Sequence, residues 1–217
     1  VGADRDRALI AAADRGDLAD VRRLLRAGAS VTATDDRGRT ALITAAYRNQ
    51  LDVARALIEA GADVNTQDLT KQSAFLIATS DGYLDLLRLT LRAEADVHRT
   101  DSYNGTGLIR AADRGHVEII RELLRTDIRV DHVNRLGWTA LLEAIILGDG
   151  GPRHTEVVRL LLEAGADPSL ADRDGVAPLT HARQRGHTAI VRLLEVANAV
   201  DKQREEIQEM FEELFGV

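Results

Sequence analysis

Apolar residues recur along this chain in short helical stripes separated by polar turns. Ala8, Leu9, Ala12 and Ala13 share one face of a helix, and Asp4 and Asp6 sit near its positive N-terminal end. Gly16 is placed to end that helix. Asp17 is placed to cap a second helix, Leu18 to Ala27, whose buried stripe is Val21, Leu24 and Leu25. Gly28 closes it, and Ala29 to Gly38 reads as a short extended finger. At Thr40 the pattern starts again. The residue ending the second helix falls at Gly28, Gly61, Glu94, Asp127 and Gly165, separated by 33, 33, 33 and 38. Asp35, Asp68, Asp101, Asn134 and Asp172 keep the same spacing in the fingers. A fixed period of this size predicts a stacked repeat.

Six units are expected, at about 5–37, 38–70, 71–103, 104–136, 137–174 and 175–198. Glu94 and Asp127 stand where the other units have glycine. Each implies strain of about 1 kcal/mol or a differently shaped loop. Drift inside a stable array explains them, and so does a surface remodelled for a partner. Gly148-Asp149-Gly150-Gly151-Pro152-Arg153-His154 makes the fifth unit longer by five residues, as a loop between its two helices. The sixth unit lacks the finger, and His181, Arg183, Gln184 and Arg185 give it a polar end. Residues 199–217 depart from the pattern and read as one more helix. Its stripe is Ile207, Met210, Phe211, Leu214 and Phe215, with glutamates opposite. This stripe is expected either to fold back as a cap on the sixth unit, over Ile190, Leu193 and Leu194, or to pack on a second copy or a partner. The short connector Ala197 to Val200 favours the cap.

The period and the residues together resemble the ankyrin repeat, with its Thr-Pro-Leu-His box. That box reads Thr40-Ala41-Leu42-Ile43, Ser73-Ala74-Phe75-Leu76, Thr106-Gly107-Leu108-Ile109, Thr139-Ala140-Leu141-Leu142 and Ala177-Pro178-Leu179-Thr180. Its proline survives only at Pro178 and its histidine nowhere. Gly115-His116, Gly186-His187, Val21 to Leu25, Val158 to Leu162, and the Gly-Ala-Asp segments at Gly61 and Gly165 match well. The resemblance covers roughly residues 5–198. It implies an all-α solenoid of about six helix-turn-helix repeats, with short β-hairpin-like fingers and a C-terminal amphipathic helix. It also implies that another protein binds on the concave side, at finger tips and inner helices. Carried onto this chain, the finger position before the box holds Arg39, Gln72, Gly105, Trp138 and Val176, with Tyr103 and Arg135 in adjoining fingers. The inner-helix ends hold Tyr47, Arg48, Ser80, Asp81, Asp113 and Arg114. Exposed aromatics and arginines are favoured anchors. Trp138 is also explained by packing on the neighbouring finger.

Composition narrows the function. A formal charge of −7 argues against nucleic acid as the partner. Zero cysteines exclude disulfides and thiolate metal sites. No apolar run approaches the ~20 residues of a membrane span, and no signal peptide is evident from Val1 onward. These point to a cytoplasmic protein, and an arginine-rich, lysine-poor chain to a bacterial source. The six histidines are scattered, with no metal-ligand spacing, and no serine has a nucleophile context. The glycine cluster at 148–151 lacks the Gly-Lys-Ser/Thr of a phosphate loop. No enzyme, cofactor or metal site is expected. The reading is a non-catalytic protein-binding scaffold, monomeric. The alternative is a self-associating module, natural or engineered, dimerised through the tail helix.

Overall fold

A computed structural model describes residues 1–216, so Val217 of the tail segment lies outside the described residues. Twelve helices and no strand are found among them. They form six antiparallel pairs. The inner helices are α1 (Gly2–Arg15), α3 (Ala41–Tyr47), α5 (Ala74–Asp81), α7 (Gly107–Arg114), α9 (Ala140–Ile146) and α11 (Pro178–Gln184). The outer helices are α2 (Leu18–Arg26), α4 (Leu51–Glu59), α6 (Leu84–Arg92), α8 (Val117–Leu123), α10 (Pro152–Glu163) and α12 (Thr188–Phe215). Each inner helix packs on the next inner one, and the outer helices do likewise.

The first residue of the repeated box starts each inner helix. Thr40, Ser73, Thr106 and Thr139 accept hydrogen bonds from the backbone N–H groups of Ile43, Leu76, Ile109 and Leu142. Ala177 cannot do this, and there Pro178 takes the first helical position instead, where no N–H partner is needed. The single surviving box proline thus stands where the hydroxyl is missing. Behind these caps, Leu42, Ala45, Leu57, Leu108, Leu123, Leu141 and Leu161 are all buried.

The two glycine replacements resolve differently. Glu94 takes the left-handed conformation that glycine takes elsewhere, at φ 63°. Its N–H donates to Leu91 O, and Ala95 N–H donates to Thr90 O, closing the helix as Gly28 and Ala29 do. Asp127 does not adopt that conformation. There Thr126 Oγ1 donates to Leu123 O (2.6 Å) and accepts from Ile128 N–H, so a side chain replaces the left-handed backbone.

The fingers are turns rather than strands. In each, the ruler residue's N–H donates to the backbone O four residues on, as from Asp35 to Arg39 and from Asn134 to Trp138. Tips also bond across units, Leu69 N–H to Arg37 O and Arg135 N–H to Tyr103 O.

The tail differs from the expected cap. It is not a separate helix. α12 runs without a break through the supposed connector, 28 residues long, about 42 Å. Ile190 and Leu194 are fully buried against α10 and α11, while Leu193 is half-buried and Val196 and Val200 stay exposed beside α10, so the tail does not fold back over the sixth unit. Ile207, Met210, Phe211, Leu214 and Phe215 are exposed, with Phe211 and Phe215 stacked on one another at 5.4 Å.

Leu141→Ala should cost roughly 2–5 kcal/mol in chemical denaturation. Glu94→Gly should stabilise by about 1 kcal/mol by relieving the left-handed strain. Asp127→Gly should bring no gain, because nothing there is strained; equal gains at both positions would contradict the two loop geometries.

Candidate functional site

The surface above the inner helices is organised by one residue per unit. Asp35 Oδ1 accepts from Arg37 and Arg39 N–H, Asp68 Oδ1 from Thr70 and Gln72, and Asp101 Oδ1 from Tyr103 and Gly105. Asn134 Oδ1 accepts from Leu136 and Trp138, and Asp172 Oδ1 from Asp174 and Val176. One oxygen therefore shapes each finger turn. In the last three units the second atom reaches the inner helix nine residues later. Asp101 Oδ2 lies 3.5 Å from Arg110 Nε, Asn134 Nδ2 donates to Glu143 Oε1 (2.7 Å), and Asp172 Oδ2 meets His181 Nε2 (2.6 Å).

This geometry corrects the placement of the anchors. The residue four after each ruler, which includes Arg39 and Trp138, bonds through both its N–H and its O to that ruler. It is thereby drawn down toward the helices. Trp138 is half-buried rather than exposed, and Gly105 is buried. The true tips lie one to three residues after the ruler. Leu69 (78% exposed), Tyr103 (57%) and Leu136 (48%) project there. Leu69 and Leu136 were missed by pattern reading, although their offset from Asp68 and Asn134 marks them.

Arg39, Tyr47 and Arg48 come together around a recess of about 660 Å³ that also includes Thr44 and Asp68. They are tied to one another and to their surroundings. Arg39 pairs with Asp35 at 2.9 Å and lies 6.0 Å from the centre of the Tyr47 ring, while Tyr47 Oη donates to Asp68 Oδ2. Burial raises the Tyr47 phenol above its ordinary pKa. Arg48 pairs with Asp14. Tyr103 and Asp113 line a second recess of about 250 Å³, with Glu143 at its base. Asp81 and Arg114 pair at 3.5 Å and join neighbouring units. Arg135 is exposed, and neither it nor Trp138 lines either recess.

The histidines brace loops. His116 Nε2 meets Ser80 O at 3.0 Å over Gly82, and burial holds its pKa below the ordinary value. In the fifth unit the inserted loop places His154 inside α10, yet its Nε2 meets Asp113 O at 2.8 Å, the same contact one unit on. Among the described residues no group of His, Asp and Glu is arranged to hold a metal ion, and no helix is long and apolar enough to cross a membrane.

Sequence and structure comparisons agree with this architecture. The family described as "Ankyrin repeats (3 copies)" matches residues 1–68 and 75–172, and "Ankyrin repeats (many copies)" matches 152–195. The chain belongs to the ankyrin-repeat family. Its repeats are of a kind that generally serves protein–protein interaction, on a fold that is typically a non-catalytic scaffold. An ankyrin repeat domain from Acinetobacter baumannii AYE is 49% identical, with a TM-score of 0.85 over 88% of this chain and 97% of that one. The ankyrin repeat protein EF0377 is 34% identical, with a TM-score of 0.84 over the same shares. The ankyrin repeat protein YahD of Escherichia coli (strain K12) is 52% identical over 59 residues, which span 27% of this chain and 29% of that protein.

Glu143 was not singled out by sequence reasoning. It is only 5% exposed. Burial pushes its carboxyl up to about 7, against the lowering effect of Asn134, with Asp113 adding to the rise. Its ordinary value is 4.5. Between those values the folded chain holds a proton that the unfolded chain has lost, so stability should fall as pH rises from about 4.5 to 7. The fall should be on the order of 1–2 kcal/mol, since the recess is open to water on one side. Glu143→Gln keeps the Asn134 bond and should remove that part of the slope in denaturation measured from pH 4.5 to 8. An unchanged slope would assign it to another group.

Proposed function

We propose that this chain is a non-catalytic scaffold that binds another protein through its finger tips and inner helices. The observation that carries this reading is the contrast between ruler and tip. The ruler position is nearly invariant from unit to unit and is satisfied internally. The tips two residues after it are exposed and differ in every unit: Arg37, Thr70, Tyr103, Leu136 and Asp174. Such a surface costs the fold little to vary, and apolar and aromatic tips supply anchor area. Tyr103 and Arg135 adjoin through the backbone bond between their fingers, Arg39, Tyr47 and Arg48 surround the first recess, and Asp81, Asp113 and Arg114 lie between. Trp138 supports the finger from below. Nucleic acid and lipid partners are disfavoured by the net charge of −7.

One observation favours a second reading, self-association through α12. Leu193, Val196, Val200, Ile207, Met210 and Leu214 fall at spacings of 3, 4, 7, 3 and 4 along one continuous helix. That is the alternating 3-and-4 spacing of a coiled-coil seam, with Gln203 at the one polar position. In this reading the tail is an oligomerisation helix appended to a 1–198 repeat array. In the first reading the chain is a monomer with a free tail.

Capture from cells should distinguish the faces. A protein retained by the wild type should be retained at least tenfold less by the Tyr103→Ala/Arg135→Ala double variant, about 1.4 kcal/mol. It should be retained fully by Arg22→Ala/Arg55→Ala on the outer helices. Equal loss in both variants would move the interface off the fingers. Deleting Lys202 to Val217 should leave the melting temperature unchanged, since this stretch is exposed throughout its described length. If self-association holds, the same deletion converts a dimer to a monomer in light scattering; an unaltered monomer mass rules that reading out.

A further inference from the structure

The second recess has an apolar mouth and an acidic floor. Tyr103, Leu136 and Leu147 are exposed around it. Asp101, Asp113 and Glu143 lie within it, against the single guanidinium of Arg110. Arg110 Nε lies 3.5 Å from Asp101 Oδ2, an ion-pair distance without a hydrogen bond. No cation lies within ion-pairing distance of Asp113 or Glu143 among the described residues. Glu143 is the unusual member. Its side chain is buried, Asn134 holds Oε1, and Oε2 has no hydrogen-bond partner although it belongs to a residue lining an open recess.

A carboxylate buried without a counter-charge costs stability. The neighbouring units avoid that cost. Asp101 meets Arg110, and Asp172 meets His181. Here the polarity is reversed. The acid stands on the helix, and the ruler is an amide, Asn134, which can satisfy one oxygen but not the charge. The pair accommodates Glu143 without neutralising it. A narrow opening of about 250 Å³ with aliphatic and aromatic walls suits one extended side chain carrying a positive end.

We infer that this recess is a binding pocket for a single lysine or arginine side chain of the partner protein, its methylenes against Tyr103, Leu136 and Leu147 and its charge against Glu143 and Asp113. This rests on the partner-binding reading and specifies one anchor within it. The charged groups facing Glu143 are Asp101 from the finger and Arg110 and Asp113 from α7. His181 and Arg185 of α11 and His154 of α10 are engaged elsewhere: His181 with Asp172, Arg185 with Ile146 O, and His154 with Asp149 and Asp113 O. Because the carboxyl of Glu143 is pushed up to about 7, the pocket carries its full negative charge only above that pH. Cation binding should therefore strengthen from pH 5.5 to 8.

The test titrates the full chain with N-acetyl-lysine methylamide and follows backbone amide shifts by NMR. N-acetyl-norleucine methylamide, with the same stem and no charge, is the control. At pH 8 the lysine compound should give saturable shifts over residues 134–143, and the norleucine compound should bind at least tenfold more weakly. The lysine compound should weaken roughly tenfold or more at pH 5.5. Glu143→Gln, verified as folded by its spectrum, should bind weakly at both pH values. Equal binding of the two compounds, an affinity independent of pH, wild-type affinity in Glu143→Gln, or no saturable shift would each overturn the proposal. The titration needs no partner. Its failure while Tyr103→Ala/Arg135→Ala still loses the captured protein would remove this anchor and leave the face. The reverse result would remove the face as a protein-binding surface.

Discussion

One carboxylate or amide oxygen per unit holds the working surface in place. The chain must reverse direction in four residues between stacked layers, with few backbone partners available. At Asp35, Asp68, Asp101, Asn134 and Asp172 a single Oδ1 accepts two N–H groups of the turn, and the same residue's N–H closes it. Once those groups are satisfied, the side chains one and two residues after the ruler are left free to vary, while the third residue keeps a left-handed backbone. Conservation of the ruler within the chain and variation of the tips are two sides of one constraint. In the last three fingers the second side-chain atom also couples the turn to its helix, with a basic partner for Asp101 and Asp172 and an acidic one for Asn134.

Stacking adds a second constraint, closeness between layers. The second box position is alanine or glycine in four of the five boxes, and Gly107 shows why. A Cβ there would lie 2.8 Å from Thr79 Cγ2 of the preceding inner helix. The corresponding residues in the flanking units are Ala46 and Ala112, which need no such concession from Ala74 or Ala140. Larger and smaller residues exchange across the interface while its total volume is kept. The histidine braces follow the same logic. His116 fills the space over Gly82, and His154 fills that over Gly115. Of the five extra residues of the fifth unit, three lengthen α10 at its N-terminus, supplying the brace from within the helix, and two lengthen the loop before it.

The fold was legible because its signals repeat. Four copies of a cap and five each of a helix end and a ruler overdetermine the register, so a substitution such as Asp127 cannot hide it. The site was legible only in part, because exposure inside a finger depends on hydrogen bonds rather than on hydropathy. Trp138 and Tyr103 look alike as aromatics near a turn. Both donate an N–H to their ruler, but only Trp138 also accepts the ruler's N–H through its carbonyl, and that second bond draws it inward. Glu143 was invisible for a different reason. A glutamate on a helix is ordinarily solvated, and its burial follows from the finger residues Tyr103, Asn134 and Leu136 and from α7 beside it. Loop solutions such as Thr126 substituting for a left-handed residue lie equally beyond pattern reading.

The tail was misjudged by treating its helix as isolated. A free helix of about 17 residues is marginal because nucleation is costly. α12 does not pay that cost in its second half. Thr188 to Val200 is already ordered by Ile190 and Leu194 against α10 and α11, so each further residue adds only a propagation step. The extension can persist without tertiary contact, and the apolar stripe can stay exposed without the helix unravelling. What the solvent then sees is a rod with five large side chains on one face, each able to gain about 1.5–3 kcal/mol on full burial. The array supplies the order, and the unburied stripe supplies the drive toward a second surface. The two are separable, because the residues that anchor the helix are not those left exposed.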